Sequence, residues 1–125
     1  MSGILFTLPG NEGIATTIAT ALGATHGELS LRHFPDGESY VRVLSDVKGA
    51  EAIVVCTLHR PDEKLLPLMY LCRVLKDLGT SSITLVAPYL SYMRQDKAFQ
   101  PGEAVTSAYF AALISSFADR LVTID

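Results

Sequence analysis

Short apolar runs alternate along this chain with longer stretches of helical spacing. Gly3-Ile4-Leu5-Phe6-Thr7-Leu8, closing at Pro9-Gly10, reads as a first buried strand. Asn11 to Leu22 places Ile14, Ile18 and Leu22 on one helix face, with Asn11 as N-cap and Gly23 as stop. Glu28 to Leu31 is a weaker strand candidate. Glu38 to Leu44 is rich in β-formers and partly alternating, so it predicts a half-exposed strand. Ala52 to Thr57 is continuous and β-branched, as in a strand covered on both faces. Asp62 to Leu78 repeats apolar residues near the helical period, at Leu65, Leu68, Met69, Cys72, Leu75 and Leu78. Pro67 fits that helix only within its first turns, since deeper it would kink it; Gly79 is the expected residue just past the end. Ser82 to Ala87 is another buried strand. Glu103 to Ala118 predicts a helix facing inward through Val105, Tyr109, Ala112, Leu113 and Phe117, and Arg120 to Ile124 a last strand.

Strands alternating with helices predict an α/β fold, a parallel sheet of about five strands flanked by helices, with right-handed crossovers. The stretch 32–50 has no helical pattern and is expected to project as a β flap. A length of 125 residues is one domain. Hydrophobic residues at 49% against 18% charged exclude a disordered chain. A net charge of −3 argues against a broad nucleic-acid surface, although one or two arginines suffice for a nucleotide. Cys56 and Cys72 lack metal spacing and fall in apolar segments, so they read as buried free thiols in a reducing cytoplasm. No membrane-length apolar run and no signal-peptide pattern occur, so no membrane partner is expected.

Candidate chemistry concentrates in Tyr89 to Lys97, directly after the strand 82–87. Ligands of open α/β sheets bind in the crevice beyond the strand carboxyl ends. Arg94, Gln95, Asp96 and Lys97 at that position suit a polar, phosphorylated ligand. Polar residues are equally normal in a solvated loop, so the segment alone leaves both readings open. Phe34-Pro35-Asp36-Gly37-Glu38 is a good type I turn, with an aromatic at its edge that needs a ligand or a partner. His26, His33 and His59 form no metal-spaced set. Arg60 follows strand 52–57 and can face the same crevice. There is no Gly-rich phosphate loop, no dinucleotide fingerprint and no flanked serine nucleophile.

Pro88-Tyr89 through Tyr92-Met93-Arg94-Gln95-Asp96-Lys97 resembles the PYxxYxRQD(K/R) segment of the ribose-phosphate pyrophosphokinases, and Phe34-Pro35-Asp36-Gly37-Glu38 resembles their FxDxE or FxNxE motif. The resemblance covers essentially the whole chain, which corresponds to the amino-terminal half of that family. It implies a phosphoribosyltransferase-like sheet and a 1–125 ATP-binding and oligomerisation domain, with the carboxy-terminal catalytic half absent and this chain alone inactive. It also implies diphosphate transfer from ATP to ribose 5-phosphate, giving phosphoribosyl pyrophosphate and AMP, with Mg²⁺ required. By the same resemblance Arg94 stacks on adenine, Gln95 hydrogen-bonds the nucleotide, and Asp96 either joins them or holds Arg94 through an ion pair. Phe34, Asp36 and Glu38 grip the adenine of a neighbouring subunit, which implies a homo-oligomer. No catalytic and no metal-ligating residue is implied in this half. The short Ala98-Phe99-Gln100-Pro101-Gly102-Glu103 loop is similar to archaeal-type members and differs from the longer basic, Ser-rich loop that contributes to the phosphate and ADP regulatory site of many bacterial and animal members. Two alternatives stay open: a non-catalytic nucleotide-binding or regulatory homologue, and a flavodoxin-like binding module, for which Leu8 to Gly13 is a poor ligand loop.

Overall fold

A computed structural model describes residues 3–124. The elements are β1 (Ile4–Thr7), α1 (Glu12–Leu22), β2 (Thr25–His26), β3 (Leu29–His33), β4 (Ser39–Val43), β5 (Glu51–Val55), α2 (Pro61–Asp77), β6 (Ser82–Ala87), α3 (Thr106–Ser115) and β7 (Arg120–Thr123). Five strands form one parallel sheet in the order β2-β1-β5-β6-β7. The parallel α/β arrangement expected from the alternation is therefore present. The two-residue β2 is too short for a periodicity to reveal.

The sheet buries its two faces differently. Ile4, Phe6, Ala52, Val54, Ile83 and Leu85 point to one side, against Leu68, Leu71, Cys72 and Leu75 of α2 and Phe110 and Ile114 of α3. Leu5 and Val55 point to the other, against Ala15 and Ala19 of α1. Burial of both faces explains why β5 reads as an uninterrupted β-branched run. Gly27 crosses the edge of Phe6 so closely that a Cβ would stand 2.4 Å from the ring.

Two helix faces are rotated from the expected ones. In α1 the buried pair is Ala15 and Ala19, Ile14 and Ile18 flank it, and Leu22 is 61% exposed. Small side chains let the helix approach the strands, and the wider isoleucines then wedge beside them. In α3 the buried pair is Phe110 and Ile114, while Tyr109 is 61% exposed. A tyrosine on that helix keeps its hydroxyl in water, and the all-carbon ring takes the core. Pro67 is buried in the second turn of α2, which runs unbroken from Pro61 to Asp77.

Asn11 does not cap α1 with its side chain. Its amide donates to the carbonyls of Leu8 (3.0 Å) and Pro9 (3.2 Å), and its Oδ1 accepts from the Thr57 N–H at 2.9 Å. A buried carboxamide thus joins the carboxyl ends of β1 and β5, where every donor it offers is answered.

β3 and β4 make a separate antiparallel ribbon, the flap, spanning 29–43 rather than starting at 32. Leu29, Leu31, Val41 and Val43 pack against the core beneath, so the flap is anchored by one apolar face. Strand alternation leaves Ser30, Arg32, Tyr40 and Arg42 on the other face. At the tip, Gly37 N–H donates to Phe34 O and Phe34 N–H to Glu38 O, both at 2.8 Å. Gly37 has φ 96°, the left-handed residue that closes this turn after Pro35-Asp36.

Candidate functional site

β5 and β6 lie side by side and parallel, so their carboxyl ends open on the same rim. The Leu58 N–H donates to Tyr89 O at 2.9 Å and holds the two following loops together. Between those loops is a cavity of about 690 Å³. His59, Arg60 and the first turn of α2 (Pro61, Asp62, Glu63) form one wall. Tyr89, Ser91, Tyr92, Arg94 and Gln95 form the other, with Glu103, Ala104 and Thr106 closing the end.

The wall is built under backbone strain. Among the described residues, two non-glycine positions take left-handed backbone, Arg60 (φ 51°) and Tyr92 (φ 65°), and both line this cavity. Such strain persists where surrounding structure imposes it, and it clusters at functional sites. Here the Tyr92 hydroxyl donates to the Asp62 carboxylate of the facing wall. That hydrogen bond to Asp62, then desolvation, raises the Tyr92 phenol above its usual range. Tyr92 also packs on Phe110 of α3, ring centres 4.9 Å apart.

Gln95 is oriented by its own chain. Its Nε2 donates to Lys97 O at 2.7 Å and reaches Glu103 Oε1 at 3.4 Å, and among the described residues its own Oε1 accepts from no donor. The Glu103 carboxylate also accepts from the N–H groups of Phe99 (2.8 Å) and Gln100 (2.7 Å). Glu103 therefore shapes the loop that follows Lys97. Nothing in the sequence singled it out, because its partners are backbone groups of a loop whose course is not legible from composition. Ser91 is 6% exposed on the cavity wall, and among the described residues its hydroxyl has no partner.

The structure brings Arg94 and Gln95 together in this cavity. Asp96 is exposed and outside the cavity wall, and among the described residues it forms no ion pair with Arg94. Phe34, Asp36 and Glu38 sit apart, at the flap tip. Phe34 is 40% exposed, not packed in the core. Asp36 Oδ1 accepts the Glu38 N–H at 3.0 Å, so that carboxylate shapes the turn. His33 Nδ1 lies 3.2 Å from Gly37 O and belongs to the same turn.

Cys56 and Cys72 are free and buried, and burial pushes their thiols up to about 11 and about 12. They stay protonated and are packing groups. Among the described residues, no three His, Cys, Asp or Glu side chains gather as a metal site. No described helix is long and apolar enough to cross a membrane.

Residues 3–117 match the family model of the N-terminal domain of ribose phosphate pyrophosphokinase. The ribose-phosphate pyrophosphokinase of Methanothermobacter thermautotrophicus is 35% identical over 92% of this chain and 41% of its own length. That of Saccharolobus solfataricus is 37% identical over 76% of this chain and 33% of its own. The crystal structure of phosphoribosylpyrophosphate synthetase from Mycobacterium smegmatis superposes with a TM-score of 0.91 at 28% identity, covering 100% of this chain and 43% of that one. The chain thus spans about a third to two fifths of the length of the curated relatives named above. A family match over nearly the whole chain, on a sheet whose strand ends carry the Arg94-Gln95 loop, shows that this protein belongs to the ribose-phosphate pyrophosphokinase family, as its N-terminal domain.

Proposed function

We propose that this domain binds ATP for a full-length ribose-phosphate pyrophosphokinase. In that reaction the 1-hydroxyl oxygen of ribose 5-phosphate attacks the β-phosphorus of ATP. The bond from that phosphorus to the oxygen shared with the α-phosphorus breaks, and AMP leaves. The observation that carries the reading is Arg94 and Gln95 held in one cavity at the carboxyl ends of β5 and β6. A guanidinium can lie flat on adenine while its edge donates to phosphate oxygens. The free Gln95 Oε1 can accept from the exocyclic amine, since an acceptor matches that donor.

Phe34 and Glu38 on the flap complete the adenine contact from a neighbouring copy, so the protein works as a homo-oligomer. Asp36 contributes by shaping their turn. Mg²⁺ would be held through the ATP phosphates and would supply charge neutralisation there, because this ion is commonly bound through substrate phosphates with few protein ligands. Among the described residues no three His, Cys, Asp or Glu side chains gather to hold it. Two free buried thiols suit a reducing, cytoplasmic setting.

The test is equilibrium titration of the protein with ATP, with and without Mg²⁺, on the parent and on Arg94→Ala. Saturable ATP binding that Arg94→Ala weakens supports the reading; absence of ATP binding, or binding indifferent to Arg94, removes it. Diphosphoryl transfer is tested on the full-length protein as AMP release dependent on ribose 5-phosphate. The non-catalytic alternative gains no support, since the relatives named above are pyrophosphokinases.

A further inference from the structure

The outward face of the flap holds a cation–aromatic cluster in which Arg32 and Tyr40, both outside the family motif, meet Phe34 within it. Arg32 and Tyr40 are directly opposite in the β3–β4 register. The Arg32 guanidinium carbon lies 4.2 Å from the Tyr40 ring centre and 5.4 Å from that of Phe34. Phe34 and Tyr40 meet edge to face, 5.8 Å apart at 87°. Among the described residues no carboxylate pairs with Arg32, so the two rings are its packing partners. The apolar face of the same ribbon is fixed on the core beneath, which leaves this cluster facing away from its own chain.

We propose that Arg32 is a positioning residue: with Tyr40 it holds the Phe34 ring in one orientation, leaving a face of that ring free to stack on a purine base. The inference rests on the reading that Phe34 contacts the nucleotide. A partly exposed phenylalanine at a turn edge otherwise samples several rotamers, and stacking would have to select one. Contacts that hold the ring beforehand reduce that ordering cost on binding. The guanidinium suits the task because it is planar, stacks on rings, and stays charged and hydrated at its edge. Lysine is a compact charge without a plane and would not clamp two rings.

The test uses ATP titration of the assembled protein together with the ring resonances of ¹³C-labelled Phe34. Arg32→Ala is expected to weaken ATP about three- to tenfold, to shift the Phe34 ring signals and to leave the melting temperature near that of the parent. Arg32→Lys is expected to stay weakened. On a Phe34→Ala background, Arg32→Ala should cost nothing further, since it acts through that ring. Unmoved Phe34 signals in Arg32→Ala, full recovery in Arg32→Lys, or additive losses in the double variant each overturn the proposal. If Phe34→Ala alone leaves ATP binding as in the parent, the nucleotide reading of Phe34 fails, while the ring signals still decide whether Arg32 holds it.

Discussion

The Tyr92 hydroxyl donates to the Asp62 carboxylate, joining the loop after β6 to the first turn of α2. This contact ties the two walls of the cavity to each other, and one of its two partners is held in left-handed backbone. The Asp62 side chain at a helix N-terminus also complements the partial positive charge of the exposed amides there. Loss of either partner should loosen the wall that carries Arg94.

That link has a pH signature. The folded phenol titrates above its ordinary value of 10.0, so its contribution is complete below that value and is lost as pH rises through the folded one. The parent should therefore lose thermal stability more steeply above about pH 10 than Tyr92→Phe does. Melting curves of both proteins across that range check it; parallel curves would show that the hydrogen bond contributes nothing to folding.

Arg94→Ala should weaken ATP by roughly 1.5–3 kcal/mol, the cost of losing a charge-assisted contact. Ribose 5-phosphate affinity in the full-length protein should change little. Calorimetric titrations with the two ligands separate these effects, and an equal loss for both would place Arg94 in a general structural role.

Glu103→Ala should free the N–H groups of Phe99 and Gln100 and release the Gln95 amide. The loop is exposed, so the stability cost should be small, about 1 kcal/mol. Amide exchange at Phe99 and Gln100 should accelerate, and ATP affinity should fall with it. Unchanged exchange at those amides would mean that the loop is held by something else.

Gly27→Ala should be destabilising by about 1–3 kcal/mol, as overpacking usually is. The new methyl would meet the Phe6 ring, which is fully buried and has no room to retreat. A denaturant midpoint equal to the parent's would show that the strand edge gives way freely. ATP binding is expected to survive, since Gly27 lies outside the cavity wall.

The order of elements was legible in the sequence because it depends on local physics. Ile53-Val54-Val55 is β-branched whatever surrounds it, and Pro35-Asp36-Gly37 turns on its own side chains. The positions of Arg94 and Gln95 at a strand mouth followed from the same local order. What local periodicity could not settle was which way each helix turns. Ile14-Ile18-Leu22 and Ala15-Ala19 are both i, i+4 sets, and only the closeness of β1 and β5 favours the alanines. Tyr109 and Phe110 compete in the same way, and the core beside Tyr92 decides for Phe110. Asn11 looks like a helix cap from its neighbours, yet its partner is the Thr57 amide, distant in sequence. Tyr92 with Asp62 and Arg32 with Tyr40 are likewise pairs made by strand and helix docking. The chain alone determined the main strands, helices and turns, the two-residue β2 excepted; tertiary packing decided which side chains meet, because such contacts depend on distances that sequence separation does not encode.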